Sequence, residues 1–221
     1  RMEQLQKANY IHIIGIGLLS MISFIAFLIY KKNYILWFSL FCLMWSLRGS
    51  FSNMYLIFDW VPDFSWLIGA KVEYLTLYSS LLVGTHIFHR LYSKYTYPLV
   101  NKISLVVNGA FILITVFSPV SIFSGLLIYF FIFLGLILTY VLIAMLNAVI
   151  HSEKGSTSLT IGVAVSVGLF FYDLLSYQQI VTANPYVLNI GYLLIYYILG
   201  ISLIYYTAQN NKGIESDSSM R

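Results

Sequence analysis

The sequence predicts an all-α membrane protein, a seven-transmembrane helix bundle with its N-terminus outside and its C-terminus cytoplasmic. Of the 221 residues, 60% are hydrophobic and 9% charged, against a charged share of about 25% in an ordinary soluble domain. Mean hydropathy is +0.84, so there is too little polar surface to coat a water-soluble globule and a bilayer is the natural solvent. The apolar residues also fall into seven runs, each near the about 20 residues that a spanning helix needs. Seven spans use roughly 140 residues and leave only short loops and two tails. A large soluble catalytic domain within the chain is thereby excluded.

In chain order the runs cover residues 10–30, 34–58, 67–88, 103–120, 122–149, 158–178 and 187–208. Lys31-Lys32-Asn33 separates the first two, and Asp59 to Trp66 the next. A basic loop from His89 to Lys102 precedes the fourth. Ser118-Pro119 makes a minimal turn, Ile150 to Thr157 closes the fifth run, and Gln179 to Tyr186 precedes the seventh. Residues 1–9 form a leading segment and 210–221 a polar tail, too short and too rich in Ser and Asp to fold alone. The chain opens on Arg1 rather than Met and its first residues lack the form of a signal peptide, so it is read as a piece of a longer protein. Cys42 has no second cysteine to pair with, and no internal repeat suggests an inverted-repeat transporter.

Orientation follows from Lys and Arg. One side holds Lys31, Lys32, Arg90, Lys94, Lys102, Lys154, Lys212 and Arg221, whereas the other has only Arg1 and Lys7 in its leading tail. The basic side is cytoplasmic by the positive-inside rule. Tyr30, Tyr34, Trp60, Trp66, Tyr92, Tyr186, Tyr205 and Tyr206 fall near span ends, where interfacial aromatic belts sit.

Three ionisable residues lie deep in the runs. At 1.5 Å of rise per residue, Arg48 and Asp173 each lie about 21 Å from the inner ends of spans two and six, and Glu73 about 10 Å below the outer end of span three. In a core of about 30 Å these depths coincide in the outer third. Unpaired charge is costly there, so Arg48, Glu73 and Asp173 are expected to pair and face the bundle interior. Helical spacing puts Trp45, Ser52 and Tyr55 on the stripe of Arg48, Thr76 on that of Glu73, and Asn189, Tyr192 and Tyr196 on one stripe of span seven. Together they predict a polar, aromatic cavity open to the outside. Such a cluster is either a structural clamp that fixes helix register or a ligand pocket and switch, and the two are compatible. Lys71 is shallow enough to snorkel to the headgroups.

Other chemistry finds no support. Span seven has no Lys for a retinal Schiff base, no two His face each other at haem-ligand depth, and His86 reads as a satisfied bundle histidine. There is no HExxH or GxSxG, and His151 to Lys154 lacks metal-ligand spacing. The expectation is a non-enzyme without cofactor or metal. The basic loops are explained by topology and give no sign of nucleic-acid binding.

The stretch Tyr34-Ile35-Leu36-Trp37-Phe38-Ser39-Leu40-Phe41 running into Leu47-Arg48-Gly49, then Trp60-Val61-Pro62-Asp63 and Glu73-Tyr74-Leu75, resembles the membrane domain of the bacterial seven-transmembrane receptors with diverse intracellular signalling modules. Ile161-Gly162 and Tyr172-Asp173-Leu174-Leu175 resemble that family's Gly and Asn-Asp-x-Leu pattern, with Tyr172 where Asn is usual. Asn189-Ile190-Gly191-Tyr192 resembles the opening of its last helix. The resemblance implies a receptor module in the bacterial cytoplasmic membrane, with an extracellular β-rich sensor domain before span one and a cytoplasmic output module after span seven. Residues 1–9 would then end an outer linker and 210–221 begin an inner one.

The expected function is transmission of an extracellular or periplasmic signal to a cytoplasmic output. The expected partners are the lipid bilayer, a small-molecule ligand or outer sensor domain, a cytoplasmic signalling module and a second copy in a homodimer. A small-solute transporter or channel using the outer cavity, or a membrane assembly subunit, are the alternatives. Transport requires a polar path to the inner face, but the inner halves of spans two, five and seven read as Leu, Ile, Phe and Tyr.

Overall fold

A computed structural model of the chain describes residues 2–52, 56–153, 155–177, 179–182 and 184–219, with side chains for all of these except 2–5, 177, 185 and 208–219. Arg1, Tyr55, Lys154 and Arg221, used in the sequence reading, lie outside the described residues, as does the side chain of Lys212. All regular structure among the described residues is helical: α1 (Met2–Tyr30), α2 (Asn33–Phe51), α3 (Ile57–Trp60), α4 (Trp66–Leu91), α5 (Pro98–Phe117), α6 (Val120–Gly125), α7 (Leu127–Ile150), α8 (Ser156–Tyr177) and α9 (Pro185–Ser219). The seven long helices are the seven expected spans. Six of them contain stretches long and apolar enough to cross a membrane. The seventh, α4, is the polar one because it carries Lys71, Glu73, His86, His89 and Arg90, and it is flanked by α2 and α5.

Several boundaries differ from the expected runs, each for a local reason. Helix α1 already includes residues 2–9 and stops where Lys31 turns into the left-handed region (φ 53), the usual conformation just past a helix end. Span two, expected to reach residue 58, ends at Phe51 because Ser52 is extended and its N–H caps the Arg48 carbonyl at 2.9 Å. The apolar residues beyond it serve the loop between α2 and α4 instead, where Phe58 packs on Phe64 and Phe64 on Phe51 at centroid distances of 6.4 and 5.6 Å. Helix α5 starts at Pro98 rather than residue 103, since a proline at the first position is preorganised for a helix. The fifth span is jointed at Leu126, which links α6 to α7 with φ −82 and ψ −8. Helix α9 runs on through residues 210–219, where the sequence suggested an unfolded tail.

Contacts at the helix ends establish an up-and-down order. Ser46 in α2 donates to the Ile13 carbonyl at 2.9 Å, His12 lies 3.2 Å from the Asn189 carbonyl, and Lys71 of α4 donates to the Val116 carbonyl at 2.7 Å. The beginnings of α1, α4 and α9 thus share one end with the finishes of α2 and α5. At the opposite end the Tyr34 hydroxyl meets Thr207 at 3.1 Å, Tyr92 packs on Tyr206 at 6.4 Å, and Tyr95 donates to Glu153 at 3.0 Å. That second end carries Lys31, Lys32, Arg90 and Lys94. His86 sits near it, edge-on to Trp37 at 5.3 Å, with Arg90 Nε donating to it at 3.4 Å.

In sequence of packing the helices run α5, α4, α2, α1, α9, α8, α7, and α7 meets α4 only sparsely. An interior gap is therefore left among α2, α4, α7, α8 and α9. Close helix contacts elsewhere rest on small residues, as expected where lipid supplies no hydrophobic drive between helices. Ser20 and Ser39 exchange hydrogen bonds with each other's carbonyls at 2.8 and 2.9 Å, binding α1 to α2. Between α8 and α9, a Cβ on Gly162 would lie 2.7 Å from Leu199 Cδ2. Gly162→Leu should force these helices apart and cost about 1 to 3 kcal/mol, a typical overpacking penalty. A lowered thermal midpoint in nanodiscs checks this, and an unchanged one would show that the interface can yield.

Candidate functional site

Helix α2 places Trp45, Arg48 and Ser52 at intervals of three and four residues, the spacing that puts side chains on one face. That face looks across to α4. Arg48 Nη1 donates to the Glu73 carbonyl at 2.7 Å, and Nη2 lies 3.9 Å from Glu73 Oε1. Both side chains are about a fifth exposed, at 20% and 18%, so the pair sits at a cavity wall rather than in a sealed core. The Glu73 carbonyl is shared, since Thr76 Oγ1 also donates to it at 2.9 Å and to the Val72 carbonyl at 2.9 Å.

Behind the guanidinium stands an aromatic stack. Arg48 Cζ lies 5.9 Å from the Trp45 ring centroid, within cation–π range. Trp45 packs on Tyr192 at 5.4 Å and on Tyr196 at 5.6 Å, and Phe41 meets Tyr196 at 5.4 Å. Tyr196 is buried, Tyr192 half-buried. The ion pair between α2 and α4 is thereby joined mechanically to α9.

Two cavities meet beside this stack. The outer one, about 460 Å³, is bounded by α1, α2, α4, α8 and α9 and by α6 and α7, and has Glu73, Ser52 and Asn189 in its walls. The inner one, about 210 Å³, fills the gap in the helix ring, and its walls toward the basic end include Thr85, Phe88, Leu91, Leu159, Val163 and Leu203. Trp45, Arg48, Leu77, Phe131, Phe170, Asp173 and Tyr192 belong to both walls and form the neck between them.

The three expected charges therefore border one cavity system, but they do not form a single hydrogen-bonded cluster. Among the described residues Asp173 makes no hydrogen bond or salt bridge, and it remains exposed to the cavity. Asp173 is at the expected height and within electrostatic reach of Arg48 but not bonded to it, because depth along a helix says nothing about where on the circumference a side chain lies. A second correction concerns Thr76, expected in the cavity wall. It is buried and lines neither cavity, its hydroxyl being satisfied by carbonyls of its own helix. Tyr196, expected at the outer cavity, lines only the inner one.

Sequence reasoning missed one polar cluster. Asn189 Nδ2 donates to Asn9 Oδ1 at 2.7 Å, and His12 Nδ1 donates to the Asn189 carbonyl at 3.2 Å. All three residues are buried between α1 and α9 at the outer cavity. The available signal was the spacing of Asn9 and His12, three apart at the start of an apolar run. Nothing here assembles a metal centre: among the described residues no three His, Cys, Asp or Glu side chains converge.

A family model described as 7TM diverse intracellular signalling matches residues 7–206, from the second turn of α1 to the part of α9 that closes the bundle. No curated protein and no solved structure matches the chain.

Proposed function

The chain belongs to the 7TM diverse intracellular signalling family, and on that footing we propose that it is a non-catalytic receptor domain of a bacterial cytoplasmic membrane. In this reading the outer cavity, or a sensor domain seated over it, receives a signal and α9 carries it to a cytoplasmic output module. A homodimer is part of the same proposal. The observation that supports it most is the course of α9. One uninterrupted helix takes Asn189 and Tyr192 from the outer cavity wall, past Tyr196, to Tyr206 and Thr207 at the basic end and onward to Ser219. A ligand shifts such a helix only by binding one bundle arrangement better than another.

The transporter alternative is weakened by the inner cavity, whose walls toward the basic end are mostly Leu, Ile, Val and Phe with Thr85 among them and carry no charge to guide a hydrated solute. Two measurements test the proposal. Reporter fusions at Lys32, Lys94 and Lys154 are expected to be cytoplasmic and one at Asp63 external; a cytoplasmic Asp63 would invert the receptor. Saturable solute uptake by the chain in liposomes that depends on Glu73 or Asp173 would favour transport instead.

A further inference from the structure

The neck between the two cavities holds one cation and one carboxylate that are not paired with each other. Arg48 is engaged by Glu73, through the carbonyl at 2.7 Å and the carboxylate at 3.9 Å, while Asp173 has no hydrogen bond or salt bridge among the described residues and feels the guanidinium only through space. The charged side chains of the two cavity walls are Arg48 and Asp173, which line both, and Glu73, which lines the outer one. With all three ionised the site carries one net negative charge, since one guanidinium faces two carboxylates, and Asp173 is the one not bonded to it. A carboxylate at membrane depth is costly unless something offsets it.

The surroundings of Asp173 narrow what can offset it. Trp45, Phe131, Phe170 and Tyr192, with Leu77, complete the neck, and aromatic faces attract organic cations. A metal centre would need several ligating side chains together, and among the described residues no three His, Cys, Asp or Glu converge. Directly below lies the inner cavity of about 210 Å³, walled mostly by Leu, Ile, Val and Phe. An apolar cavity of about 150 Å³ takes up benzene, so this one holds a substituted ring or a short alkyl chain. Trp45 Nε1 is buried with no hydrogen-bond partner, a donor for an acceptor atom on the occupant.

We propose that the neck is a binding site for an organic monocation, an amine whose ammonium group sits against Asp173 and whose apolar body enters the inner cavity. The binding claim stands on the cavity alone; its signalling consequence rests on the receptor reading above.

The test uses the full chain in lipid nanodiscs, with empty nanodiscs as blank, and three probes of one shape: 2-phenylethylammonium, 2-phenylethanol and 3-phenylpropionate. The expected order is amine over alcohol by about tenfold or more, the gain of a desolvated cation on a carboxylate and aromatic faces, with the carboxylate weakest. Asp173→Asn should bring the amine-to-alcohol ratio to about one while the alcohol still binds, and Val163→Trp, which fills the inner cavity, should weaken both by about tenfold. Equal binding of amine and alcohol to the unaltered chain would mean that Asp173 carries a proton instead, and would overturn the proposal. So would tighter binding of phenylpropionate, which would make Arg48 the head-group site, or no saturable binding of any probe. The wild-type series decides even if a variant fails to fold. With an output module fused behind α9, amine binding without any change in output would retain the site and remove the receptor reading. Output that responds to another stimulus in a chain that binds no amine would do the reverse.

Discussion

Arg48→Gln is expected to lower the stability of the bundle by about 2 kcal/mol, the range for a lost hydrogen bond to a charged group. The fully buried figure of about 3 to 5 kcal/mol does not apply, because both members of the pair keep about a fifth of their side-chain surface open to the cavity, 20% and 18%. Two second-site changes separate the acids. Arg48→Gln with Glu73→Gln removes the carboxylate that faced the guanidinium and should recover part of the loss. Arg48→Gln with Asp173→Asn should recover less, since Asp173 is not bonded to Arg48. Thermal midpoints of the three variants in nanodiscs measure this. Equal rescue by both double variants would put Asp173 in the pair after all.

The architecture was readable because composition and hydropathy decide it: apolar runs of membrane length leave a helix as the sole open-ended spanning structure. Finer features depend on facts that hydropathy does not carry. The joint at Leu126 lies within an apolar run and changes no property that a sequence window measures. The end of α2 at Phe51 was hidden because Phe58 and Phe64 are as apolar as a span, yet they satisfy each other in the loop between α2 and α4. Asn9 was set in a leading segment outside the membrane because the run was started at residue 10, whereas α1 begins at Met2. Depth arithmetic placed Arg48 and Glu73 at one height, where they do meet. It placed Asp173 at that height too, but a residue's azimuth depends on how α7, α8 and α9 pack, and that information is spread over many side chains.

Trp45→Leu, in a receptor with its cytoplasmic output attached, is expected to shift basal output and to flatten the ligand response while leaving a folded bundle. Trp45 stands between the guanidinium of Arg48 and the rings of Tyr192 and Tyr196, so it is the part through which a change at the ion pair would reach α9. Each aromatic pair contributes about 0.5 to 1.5 kcal/mol beyond its buried area, and losing both removes about 1 to 3 kcal/mol from the stacked arrangement. If signalling is an equilibrium between a stacked and an unstacked state, that loss moves their ratio by about 5- to 150-fold toward the unstacked one. A ligand whose effect works through the stack then has little left to shift. Phe117→Leu is the control, because Phe117 is 82% exposed at the C-terminal end of α5 and lines neither cavity. Output should be unchanged in that variant. A folded Trp45→Leu receptor with normal basal output and a normal response would show that the stack carries no signal, and the Arg48–Glu73 pair would then be a clamp that holds α2 against α4.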